Sequence, residues 1–460
     1  MAKRKKSAVN IPPLDIMAQI NVNAAGLDIG AEEIYACVPV DRDEESVRVF
    51  PTFTVDLHAL ADWLEACQIE TVAMESTGVY WIPIYEILES RGFEVYLVNA
   101  RHLKNVPGRK TDILDCQWIQ QLHTYGLLHA SFRPPEEICA LRALARHRDN
   151  LIRYRAAHIQ HMQKALQSMN VKLTSVVSDI TGVTGLSIIR AIVAGEQDPH
   201  QLARFRQSGC RKSEEEIAKA LQGNYKPEYL FVLKQALAQY DFYLRQIQDC
   251  DAEMEAMYAD LPPCHPDDQG SPPPEPRTQK PRKNQAHFDL ATSLYRIVGV
   301  DLTAIDGIDA LSAHAIITEI GIDVTPWPTV KHFTSWLCLS PHNDKSGGKV
   351  LRSRTKKTQN KANLAFRMAA QSLGRSDSAL GAFYRRMRAK HGPIKANTAT
   401  AHKLARIVYS MLKNRTAYAD PGVTYYEQQH RDRVIRNLKR KATALGFDLT
   451  PAPAGPRTVS

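Results

Sequence analysis

Ala24-Ala25-Gly26-Leu27-Asp28-Ile29-Gly30, continued by Glu33-Ile34-Tyr35-Ala36-Cys37-Val38-Pro39, is the stretch on which the fold of the 460-residue chain turns. It has the pattern of two short apolar strands joined by a turn at Gly30 and Ala31, and the first strand carries one carboxylate. An aspartate inside an apolar strand must be bound to something, because burying an unpaired carboxylate is prohibitive. Metal or phosphate chemistry is the natural suspect. Two later segments offer partners. Thr71-Val72-Ala73-Met74-Glu75 is a second buried-type strand ending in an acid, and Lys110-Thr111-Asp112-Ile113-Leu114-Asp115 sets two acids three apart on a helix, hence on one face. Asp28, Glu75, Asp112 and Asp115 form a candidate cluster of four carboxylates.

The rest of the composition bounds what such a cluster can serve. The length suggests about two to four domains. Net charge is +10, with 59 Lys and Arg against 49 Asp and Glu, although acids outnumber bases in the first hundred residues. Polyanionic partners are expected, on a basic surface away from the acidic cluster. Eight scattered cysteines without a Cys-x-x-Cys pair argue against a zinc knuckle or disulfide framework and fit a reducing cytosol. No apolar run approaches the roughly 20 residues of a membrane span, and no signal-peptide core opens the chain. A cytoplasmic protein without membrane contact is expected. Residues 1–21, with Lys3-Arg4-Lys5-Lys6, read as a basic flexible tail that either touches phosphate or is simply solvated.

Residues 22–133 alternate strands and helices with glycine punctuation, the mark of an α/β domain. Asp28 and Glu75 lie on different strands and meet only across the sheet. This arrangement resembles the RNase H fold in its RuvC-like form, whose carboxylates hold two divalent metals; oxygen ligands suit Mg²⁺. Taken singly, Asp28 has a turn cap as its lesser alternative reading, whereas Asp112 or Asp115 alone reads better as part of a solvated helix face. Arg101, Lys104, Arg109 and Lys110 occupy a glycine-punctuated segment before the acidic helix, suited to a phosphate backbone or to an ordinary surface loop.

Residues 134–260 carry two long amphipathic helices, 134–170 and 229–258, expected to form a long antiparallel coiled-coil hairpin with a smaller helical insert at 171–226. Arg142, Arg146, His147, Arg148, Arg153, Arg155, His158 and His161 read as exposed, lining either nucleic acid or solvent. Residues 261–287 are a proline-rich linker. Residues 288–420 make a mainly α-helical C-terminal domain. In it Ile305-Asp306-Gly307-Ile308 resembles a helix-hairpin-helix element, a helix spans His332 to Pro341, and a loop follows from Asp344 to Lys357. Residues 345–375 hold nine Lys and Arg and no acid. Lys345, Lys349, Arg352, Arg354, Lys356 and Lys357 therefore suit a nucleic-acid backbone, the alternative being a solvated basic loop. Residues 421–460 are a C-terminal helix and tail.

Gly-Leu-Asp-Ile-Gly at 26–30, Met-Glu-Ser-Thr-Gly-Val-Tyr-Trp at 74–81, Lys-Thr-Asp-x-x-Asp at 110–115, Ile-x-Gly-Ile at 305–308 and Ser-Gly-Gly-Lys at 346–349 occur together around a coiled-coil middle. In combination they closely resemble the DEDD transposases of the bacterial insertion-sequence family numbered one hundred and ten, over about residues 22–450. The resemblance implies a recombinase that excises and inserts its own element, guided by a structured bridge RNA that pairs with donor and target DNA. It implies that Asp28, Glu75, Asp112 and Asp115 bind Mg²⁺ and that Ser346 is a nucleophile forming a covalent DNA intermediate. Ser340 and Ser353 are rival serines. Acids and serine lie far apart in sequence, so a homodimer or homotetramer is expected to bring them together. Two competing classes keep parts of the pattern: a metal-only RuvC-like nuclease or resolvase without the serine, and an actin-like sugar kinase, whose later Asp-x-Gly-Gly motif is missing after residue 100. A non-catalytic nucleic-acid-binding protein is the third alternative.

Overall fold

The computed structural model describes residues 18–76, 78–99, 112–264 and 283–450, with the side chains of residues 112–114 left aside. The chain divides at Arg133/Pro134 into two compact units. The outer parts of the expected N-terminal tail and C-terminal segment, most of the proline-rich linker, and Arg101, Lys104, Arg109 and Lys110 lie outside the described residues.

The first unit is built on a five-stranded sheet. Its strands are β1 (Ala24–Ile29), β2 (Glu33–Cys37), β3 (Val47–Pro51), β4 (Thr71–Glu75) and β5 (Glu94–Val98), in the order β3-β2-β1-β4-β5. β1 runs antiparallel to β2 and parallel to β4, and β5 extends the parallel part. Helices α1 (Thr54–Ala66) and α2 (Trp81–Ser90) cover one face and α3 (Asp112–Thr124) covers the other. Because strand side chains alternate, Ala25, Leu27 and Ile29 join Val72 and Met74 in the core beneath α1 and α2. Gly26 and Ala73 face α3. A Cβ on Gly26 would fall on Gln120 N and Cys116 O of α3, so only glycine lets that helix lie directly on the strand.

The second unit is helical. Helices α4 (Glu136–Ser168) and α9 (Pro227–Asp260), of 33 and 34 residues, pack along each other. Leu144 and Arg148 meet Cys250 and Asp251, whereas Met162 and Leu166 share a core with Leu233 and Leu237, so the two run in opposite directions. Between them come α5 (Leu173–Val176), α6 (Val183–Val193), α7 (Pro199–Ala203) and α8 (Glu214–Ala220), which close a separate core at one end of the pair. Arg148, buried, gives its guanidinium to Asp251 at 2.5 Å and to the carbonyls of Asn284 and Gln285, while His287 Nδ1 lies 2.7 Å from the same carboxylate. Arg155 is buried as well, against Asn284. Neither is the exposed cation expected from sequence: the partners that offset their burial stand about a hundred or more residues away. Residues on both sides of 265–282 are thus tied down, Cys264 N donating to Arg296 O at 2.8 Å on the near side.

The chain continues through α10 (Leu290–Val298), α11 (Ala310–Ile320) and α12 (Val330–Trp336). The helix expected to reach Pro341 ends at Trp336, and Cys338 adopts a left-handed conformation. The expected loop at 344–357 is largely a two-stranded antiparallel ribbon, β6 (His342–Ser346) and β7 (Lys349–Arg354). Gly347 and Gly348 both have positive φ, the tight turn whose twist matches paired strands, which explains the pairing despite polar sequences. Helices α13 (Lys361–Ser372), α14 (Ala379–His391), α15 (Pro393–Asn414) and α16 (Gly422–Ala444) complete the unit. No helix among the described residues is long and apolar enough to cross a membrane.

Candidate active site

Strand register places the first two acids together. Gly26 pairs with Ala73 and Leu27 with Met74 in the parallel β1/β4 ladder, so Asp28 and Glu75 come one step further along, on the same face as Gly26 and Ala73. Both are half-buried at the carboxyl ends of parallel strands, where open α/β sheets commonly bind ligands.

Helix α3 lies across that face in the opposite sense to β1. Its last residue, Thr124, accepts hydrogen bonds from Ile20 N and Asn21 N; Gln120 Nε2 donates to Ala24 O; Cys116 sits over Gly26. The first turn, from Asp112 to Asp115, is therefore the part of α3 that approaches the Asp28 end of the strand. Cys37 and burial push the Cys116 thiol up, and the charge of Asp28 acts in the same direction, so Asp28 is within electrostatic reach of the residue next to Asp115. At the other end His123 is buried, its Nε2 2.8 Å from Thr71 Oγ1, and burial pulls its pKa down to about 4.

Asp28, Glu75 and Asp115 are thus on three elements around one end of the sheet, all half-buried. The Asp112 side chain lies outside the described residues. Among the described residues no group of three or more His, Cys, Asp or Glu side chains is gathered closely enough to hold a metal ion. The donor chemistry is of the kind a hard cation takes, carboxylate oxygens with no soft ligand required.

In the second unit Ser346 is the last residue of β6, paired with Lys349 across the Gly347-Gly348 turn, and every residue of the ribbon is exposed. A Cβ on either glycine would meet nothing, so the tip is open on all sides. Lys345, Lys349, Arg352 and Arg354 are carried on the ribbon, and Lys356 and Lys357 follow it. Of the rival serines, Ser340 donates from its Oγ to Thr334 Oγ1 at 3.0 Å, whereas Ser353 lies opposite Asn343 near the ribbon's base. Arg146 is held by Glu319 at 2.8 Å and Arg142 donates to the Thr318 and Glu319 carbonyls, ties that fasten α4 to α11; Arg153 contacts Asn150 beside it. The Gly307 turn has a positive φ and lies against α13, where a Cβ would stand 2.6 Å from Ala369 O, and Asp309 caps α11 through Ser312 N at 2.9 Å.

The first unit is thus a mixed sheet with acids at one end, and the second is helical and carries an exposed basic ribbon. Residues 25–171 match a DEDD-type family described as a transposase, and residues 301–385 match the Transposase IS116/IS110/IS902 family. The first match contains all four acids and the second contains the ribbon with Ser346. No curated protein matches the chain. The molecule is a DNA transposase, an enzyme of DNA strand transfer. It belongs to the IS110 family of insertion-sequence transposases.

Proposed function

We propose that this transposase cuts and rejoins DNA through Ser346, beside a divalent-cation site made by Asp28, Glu75, Asp112 and Asp115 on an RuvC-like sheet. The common face and adjacent register of Asp28 and Glu75, with the first turn of α3 brought over them, is the observation that carries this. Magnesium ions held by these carboxylates would offset charge on the attacked phosphate and assist the departing oxygen.

The serine's part follows from its setting. Its Oγ forms a bond to phosphorus as the bond from phosphorus to one strand oxygen breaks; the serine proton is lost to a base and the freed strand end leaves as a hydroxyl. The phosphoserine keeps a phosphodiester's bond energy for rejoining, when another strand's hydroxyl displaces the serine. Gly347 and Gly348 let a DNA backbone approach without side-chain obstruction, and Lys345, Lys349 and Arg352 offset charge building on phosphorus. Lys356, Lys357 and Arg354 continue these contacts along the backbone, and Arg101, Lys104, Arg109, Lys110, Arg146 and Arg153 extend them elsewhere. The long α4/α9 pair serves as a coiled-coil spacer. A homodimer or homotetramer supplies acids and serine to one reaction centre, and a bridge RNA selects donor and target sites by base pairing.

Denaturing electrophoresis after incubation with Mg²⁺ and a labelled element end tests the serine. A protein–DNA adduct is expected for the native chain and for Ser353→Ala, and none for Ser346→Ala. Adduct formation by Ser346→Ala overturns the assignment in favour of another protein nucleophile, and cleavage at the native rate without any adduct overturns it in favour of metal-only hydrolysis.

A further inference from the structure

A groove of about 1700 Å³ runs along one face of α15, bounded by α14, α16 and the base of the ribbon. Lys395, Lys403, Arg406 and Lys413 line it from α15, Arg433 from α16 and Arg354 from the ribbon, and none of its lining residues is an acid. From 395 to 413 the helix rises about 27 Å, the length of roughly eight phosphates along one DNA strand at 3.4 Å each.

The charges press on one another. Lys403 lies over the rings of Phe383 and Tyr426, at 4.7 and 5.3 Å, and burial together with Arg433 and Arg406 pulls its pKa down. Burial and Arg406 likewise lower His402. The acid that acts on Lys403, Asp420, accepts from Ala379 N at 3.1 Å and so caps α14. Crowded cations facing a common channel favour a polyanion threaded through it.

The geometry points to this groove as a track for the phosphate backbone of a DNA strand, the one that continues from the phosphate attacked at the ribbon tip. It rests on the serine assignment above. Ser353, Arg354 and Thr355 line the groove, and Lys349, the partner of Ser346, is on the same strand β7. From Lys349 to Arg354 a strand advances about 17 Å, roughly five nucleotides of a DNA strand. Contacts in the groove therefore begin about five nucleotides from the joined phosphate. The aromatic floor under Lys403 holds that cation away from solvent, and Lys395, Arg406 and Lys413, each exposed, meet phosphates several nucleotides apart along the strand.

The test uses full-length Ser346→Ala protein, so that no covalent joint forms, with a duplex carrying the element's own end and with RNA of the same sequence. Replacing Lys395, Arg406 and Lys413 together by alanine should weaken DNA binding at least tenfold. It should also reduce the slope of log Kd against log salt by about 2 to 3, near 0.9 for each phosphate no longer neutralised. Arg406→Glu alone should act in the same direction without change in melting temperature, which separates a binding effect from misfolding. Phosphate ethylation interference should fade about five nucleotides from the joint and beyond. Unchanged DNA affinity and slope, or a loss confined to RNA, overturns the inference. Failure of the serine assignment would appear separately, as an adduct in the Ser346→Ala protein.

Discussion

Gly26 sets how closely α3 approaches β1, and through α3 it sets where Asp115 stands relative to Asp28. With backbone atoms of Cys116 and Gln120 filling the space of its missing side chain, Gly26→Val must lift the helix from the sheet. Overpacking of this kind costs about 1–3 kcal/mol, so a lower melting temperature is expected, accompanied by loss of adduct formation even at temperatures where the variant stays folded. Activity retained by a folded Gly26→Val protein would separate α3 from the chemistry. The place of Asp28 on a buried strand was legible because one charge interrupts an apolar run. The positions of Arg148 and Arg155 were not legible. Charged residues default to the surface, and the neighbours that satisfy these two come from Asp251 and Asn284, pairings that no local pattern announces.

Among the elements, the ribbon departs furthest from its sequence. His342-Asn343-Asp344-Lys345-Ser346 offers no apolar alternation, so the segment reads as loop; pairing comes instead from two glycines that accept positive φ. An isolated two-stranded ribbon is only marginally stable in water. Replacing both Gly347 and Gly348 by alanine should cost about 1–2 kcal/mol at each, enough to open the ribbon but not the core of its unit, since its side chains are all exposed. Hydrogen exchange should quicken across residues 342–354 while the melting temperature holds, and adduct yield should fall. A drop in melting temperature with unchanged exchange there would contradict this. The sheet, α1, α2 and the two long helices, by contrast, were readable from periodicity, because each buries an apolar face, broken in the long pair only by Arg148, Arg155 and Asp251.

At the scale of the whole molecule, each unit contains a histidine kept neutral by its surroundings. Burial brings His123 to about 4 in the first unit, and burial, with Arg148 adding to it, brings His314 to about 4 in the second, from an ordinary value of 6.5. Both folded values lie below the unfolded one. The unfolded chain therefore takes up protons that the folded chain refuses, and stability falls as pH drops from about 6.5 towards 4. Each site contributes up to about 3 kcal/mol across that range. The urea midpoint should be lower at pH 5 than at pH 7, with less of a decline in His123→Leu; an equal midpoint at both values in the native chain would contradict it. The net charge of +10 and the crowded cations of the C-terminal helices belong to the same scale, since they bias the molecule towards polyanions wherever these are met. The second unit has one more property of this kind. Cys264 and Asn284 flank the span 265–282, and the hydrogen bonds to Arg296 and Arg148 grip the backbone at either side. A chain with fewer or more residues between those two anchors should therefore keep the same grip at either side and an unaltered helical framework.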